Sequence, residues 1–152
     1  MTNPAQFDLL LNSIEENCPP AEYEQALLPF MFDCADLMEP RLPQVARESL
    51  SIAKSFAQGH LDMEALEHAV ISSWKAIGDG PQGLQVDSPQ VAGIRAVICI
   101  LHRELHSANK YIHPECDELV DSISFYLQLL NNVEPCFQRQ DVLIKKWFGS
   151  CL

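Results

Sequence analysis

The densest ligand chemistry in the chain lies in LHRELHSANKYIHPEC, residues 101–116, which supplies His102, Glu104, His106, His113 and Cys116. His102 and His106 stand one helical turn apart and can share a face, as two ligands of one metal ion must. With Cys116 or Glu104 added, that pair describes a metal-dependent hydrolase built on a helical bundle. The pattern is not His-Glu-x-x-His, because Glu104 follows the first histidine by two positions and points away from the histidine face. The plainer reading puts His102 at the border of an apolar stripe, His106 near the surface and His113 at the cap position before Pro114. On that reading no metal and no cofactor are expected. Glu115, Asp117, Glu118 and Asp121 crowd the same helix start, where acids offset the positive end of the helix dipole at about 0.3 to 1 kcal/mol each. No nucleophile elbow, phosphate-cradling loop or dinucleotide fingerprint occurs, so the chain is expected not to be an enzyme.

Helices must position these groups. Leu42, Val45, Ala46, Leu50, Ala53, Phe56 and Ala57 recur at helical spacing and end at Gly59. Asp62 is the natural N-cap of the next helix, with Met63, Leu66, Val70, Trp74 and Ile77 as its inner face, before Gly78-Asp79-Gly80-Pro81 breaks the chain. The stretch from Gly78 to Asp87 reads as the longest loop. Ser88-Pro89 then starts a helix of about twenty residues, with Val91, Ile94, Val97, Ile98, Leu101 and Leu105 facing inward. His113-Pro114 starts another through Leu119, Val120, Ile123, Leu127 and Leu130, ended by Asn131-Asn132, and Glu134-Pro135 opens a last one carrying Val142, Ile144, Trp147 and Phe148. Residues 5–16 and 21–38 are helical too, with a kink or break predicted near Leu28 because Pro29 lacks an amide and clashes one turn back. No segment has the period of a strand. The fold class predicted is all-α: a single-domain antiparallel bundle of six to seven helices over residues 1–152. Trp74 and Trp147 fall in phase with the stripes and are expected in the core.

Composition narrows the partners. The chain has 21 acids against 10 bases, a formal charge of -11. The excess sits at the front: Asp8, Glu15, Glu16, Glu22, Glu24, Asp33, Asp36 and Glu39 all precede the first base, Arg41. Such a surface gains nothing from nucleic acid or an anionic membrane and suits a basic protein partner, so these eight acids are the candidate partner-binding residues. The alternatives are acids that only keep the chain soluble and a non-enzymatic regulatory adaptor. No basic, apolar leader precedes the first helix, so the protein is expected to stay in the cytoplasm. Cys18, Cys34, Cys99, Cys116, Cys136 and Cys151 form no Cys-x-x-Cys pair. All six are expected to be reduced structural thiols.

Residues 27–77 carry a resemblance as well. An aliphatic helix with the pair Cys34-Ala35 leads to a turn with Pro40, Arg41 and Pro43; a helix ending in Ala57-Gln58-Gly59 follows, then one with an aromatic near its end, Trp74. This run resembles a family of small all-helical immunity proteins that bacteria encode beside polymorphic-toxin genes, with a weaker echo in VAGIRAVICILHREL. The resemblance implies an all-α fold and neutralisation of a cognate toxin by direct binding, with no catalytic residues.

Overall fold

Two helix starts show how closely the local chemistry is followed. The Asp62 carboxylate accepts the Ala65 amide at 3.1 Å and the Ser88 hydroxyl accepts the Val91 amide at 3.2 Å, each satisfying a first-turn donor that has no partner inside its helix. The computed structural model describes residues 4–78, 88–101 and 116–152. Seven α-helices lie among them: α1 (Pro4–Asn17), α2 (Pro20–Met38), α3 (Gln44–Ala57), α4 (Met63–Ala76), α5 (Pro89–Leu101), α6 (Cys116–Val133) and α7 (Phe137–Phe148). Short 3₁₀ turns at Glu39–Arg41 and Gly149–Cys151 follow α2 and α7, and no strand occurs among the described residues. The all-α helical bundle is therefore as the periodicity requires. None of the described helices is long and apolar enough to cross a membrane.

The core runs through every helix, and α5 is its axis. Ala92, Gly93, Ile94, Ala96, Val97, Ile98, Ile100 and Leu101 are all buried, because α2, α3, α4 and α6 all pack on α5. Gly93 lets the turn before α3 approach α5 closely: a Cβ there would come within 2.9 Å of a Leu42 methyl and 3.3 Å of the Pro43 ring. Gly59 and Gly78 end α3 and α4 with positive φ of 80° and 72°, the left-handed conformation that glycine adopts without a Cβ clash.

The structure refines three expectations. Of the kink or break expected near Leu28, the break does not occur, since α2 runs continuously past Pro29. Proline forfeits one hydrogen bond, whereas Leu27, Phe30, Met31, Cys34, Ala35 and Met38 hold both sides of it in the core. Leu66 of the predicted α4 face is fully buried and Met63, Val70, Trp74 and Ile77 pack half-buried against the core, while the smaller Ala69 and Ser73 are buried beside them. The small residues let α4 close on α3, where the buried Ser49 and Ser73 hydroxyls meet at 2.9 Å. Finally, Cys18 and Cys151 are disulfide-bonded rather than reduced. They lie 133 residues apart, and only the packing of α1 against α7 and the terminal turn brings them together.

Candidate protein-binding surface

The eight front acids do not form one free surface, because folding brings lysines to two of them. The Asp33 carboxylate accepts from the Trp147 indole N–H at 2.9 Å and from Lys146 Nζ at 3.0 Å, fastening α2 to α7. Asp36 pairs with Lys54 of α3. Glu22 accepts from the Ser150 hydroxyl at 3.4 Å. Asp8, Glu16 and Glu39 are exposed with none of these contacts, Glu22 and Asp36 are exposed despite theirs, Glu15 and Asp33 are half-buried, and the side chain of Glu24 lies outside the described residues. Among the acids that stay exposed elsewhere are Glu48 on α3 and Glu64 and Glu67 on α4.

A second feature escaped the sequence pattern. Arg95, half-buried on α5, lies between two rings, its guanidinium 5.7 Å from the Trp74 centroid on α4 and 5.3 Å from that of Phe125 on α6. Both distances are within cation–π range. Phe125 is 41% exposed, and Ile71, one turn before Trp74, is 52% exposed. Tryptophan, arginine and phenylalanine at the mouth of three helices match the residue types that carry most binding energy at protein interfaces. The sequence signal for this cluster was Trp74 in phase with the α4 stripe, with the inward stripe of α5 leaving Arg95 aside.

The interior thiols are unsuited to catalysis. Burial pushes the Cys34 thiol well above the usual 9.0, with Cys136 and Asp33 adding to it. Burial also lifts Cys99 to about 11 against the opposing Arg95 charge, and Cys136 to about 11, with Arg139 opposing and Glu134 assisting. A thiol kept neutral is a weak nucleophile. Tyr126, buried and raised well above 10 chiefly by desolvation, donates to the Met31 carbonyl at 2.6 Å.

Of the other candidates, His102, Glu104, His106, His113 and Glu115 lie outside the described residues. Cys116, Asp117, Glu118 and Asp121 fall in α6, but their side chains are outside them as well. Comparison with protein-family models, curated proteins and solved structures finds no match for this chain.

Proposed function

We propose that the chain is a non-catalytic immunity-type protein that neutralises a basic protein toxin by direct contact in the cytoplasm. One observation carries this reading: Lys54 and Lys146 pair with Asp36 and Asp33, yet Asp8, Glu16 and Glu39 stay exposed with no such lysine on a front that has no base before Arg41. Exposed charges of one sign steer an oppositely charged partner and set the rate of encounter, while a few aromatic anchors hold the complex. Trp74, Phe125 and Ile71 supply anchors of that kind.

The test takes the variable C-terminal domain of a large secreted protein encoded beside this chain and expresses it with and without the chain. Rescue of growth is expected. Surface-plasmon kinetics should then show Asp8→Asn/Glu16→Gln/Glu39→Gln associating about tenfold more slowly at low salt. The deficit should fade toward about 0.5 M salt, where screening shortens to a few ångströms. An unchanged on-rate, or one indifferent to salt, would remove the acidic front from the interface, and absence of rescue would overturn the immunity reading itself.

A further inference from the structure

Cys18, Glu22 and Cys151 bring two sulfurs and a carboxylate oxygen within 4.8 Å of one another. Cys18 directly follows α1, Glu22 sits in the first turn of α2, and Cys151 closes the terminal 3₁₀ turn. Cys151 is buried, Cys18 half-buried and Glu22 exposed, so the group opens to solvent on the carboxylate side. Glu22 Oε2 lies 3.7 Å from Cys151 Sγ. A tetrahedral zinc centre with ligand bonds of about 2.3 Å to sulfur and about 2.0 Å to oxygen places sulfur and oxygen roughly 3.5 Å apart, and two sulfurs roughly 3.8 Å apart. The first separation is nearly met as the chain stands, and the second becomes reachable once the disulfide is opened.

We propose that in the reduced protein Cys18, Cys151 and Glu22 hold one zinc-class divalent cation, with water in the fourth position, and that the disulfide is the metal-free state of the same site. Two thiolates and a carboxylate this close repel one another, and a divalent cation converts that repulsion into coordination. The reductant is a small-molecule thiol. Its thiolate attacks Sγ of the more accessible Cys18, the S–S bond breaks, and the electron pair leaves on Cys151 Sγ, which takes a proton. A second thiol releases Cys18 from the mixed disulfide, so two reductant thiols become one disulfide and the chain gains two thiols. Cation binding then expels both thiol protons to solvent. In a reducing cytosol the metal-bound form is favoured. In the reverse direction a small-molecule disulfide is the oxidant, accepting attack by one Cys thiolate and releasing one thiol, after which the second Cys displaces the other. One disulfide thus becomes two thiols, the Cys18–Cys151 bond re-forms and the cation is released.

The test titrates the full chain, reduced and freed of reductant, with Co²⁺. A thiolate-to-cobalt charge-transfer band should saturate at one equivalent, vanish on adding Zn²⁺, and be absent from the oxidised protein. Cys18→Ser and Cys151→Ser should each abolish it, whereas His102→Ala/His106→Ala should leave it unchanged. Glu22→Gln keeps both sulfurs and should retain the band with affinity lowered more than about tenfold, so it stays decisive if the serine variants lose helical circular dichroism. A reduced wild type without the band, a band surviving Cys151→Ser, loss of the band in the histidine variant, or unchanged affinity in Glu22→Gln would overturn the assignment.

Discussion

Asp33 offers the sharpest test of how the front acids are used, because its geometry makes it a fastener of α2 to α7. Its Oδ2 receives the Trp147 indole N–H at 2.9 Å and Lys146 Nζ at 3.0 Å. A hydrogen bond to a charged acceptor contributes about 1.5 to 3 kcal/mol, and the half-buried indole places this one near the lower end. The lysine contact is solvated, with side chains 58% and 32% exposed, and adds roughly 0.5 kcal/mol or less. Asp33→Ala should therefore destabilise by about 2 kcal/mol. Asp33→Asn retains an oxygen for the indole and should cost roughly half as much. Trp147→Phe removes the donor and should couple with Asp33→Ala by about 1 kcal/mol, since the second change finds the bond already lost. Urea unfolding followed by circular dichroism reads these values as midpoint shifts of about 1 M for Asp33→Ala. An Asp33→Ala cost below about 0.5 kcal/mol, or strict additivity with Trp147→Phe, would refute the fastening role.

Ser49→Ala and Ser73→Ala should each cost about 1 to 3 kcal/mol by leaving one buried hydroxyl unpaired, while the double variant should recover most of that loss, as a thermodynamic cycle in urea would show. Gly93→Ala gains about 1 kcal/mol of helix propensity but drives a methyl into Leu42 and Pro43, so a net loss of about 1 kcal/mol is expected and a rise in melting temperature would contradict the close approach. Cys99 and Cys136 hold their protons to about pH 11 when folded, against an ordinary 9.0. The native state thus binds more protons across that window; stability is fully present below pH 9 and should fall as pH rises toward 11, with Cys99→Ala/Cys136→Ala flattening the decline.

Seven helices were legible because apolar residues at three-to-four spacing, Asp62 and Ser88 at helix starts, and Gly59 and Gly78 at helix ends all act within one or two turns. What exceeded the sequence depends on distant segments meeting. Trp74 reads as core by phase; it packs half-buried against the core beside Arg95, while the smaller Ala69 and Ser73 are buried more deeply and Ser73 meets Ser49 of α3. The pair Asn131-Asn132 predicts the end of α6. Instead α6 continues to Val133, while the Asn131 side chain spans the turn: it donates to Gln140 at 2.8 Å and accepts the Cys136 amide at 2.7 Å. The candidate acids were visible as a run. Which of them were already committed was not, since Lys54 and Lys146 follow their partners by 18 and 113 residues.

Those pairings change where the acidic field acts without changing its total. An ion pair cancels one acid with one base, so the formal charge of -11 survives every internal contact. At physiological salt the screening length is about 8 Å, and an approaching partner therefore responds to charges near its own contact rather than to the sum. Acids fastened to lysines, Asp33 and Asp36, offer it little, and neutralising them acts mainly through the packing of α7 and α3. Asp8, Glu16 and Glu39 stay exposed on α1 and the turn after α2, and their neutralisation changes the field while leaving those fastenings intact. The two sets thus separate steering from stability: the exposed acids should govern on-rate and its salt dependence, and the fastened acids the unfolding midpoint.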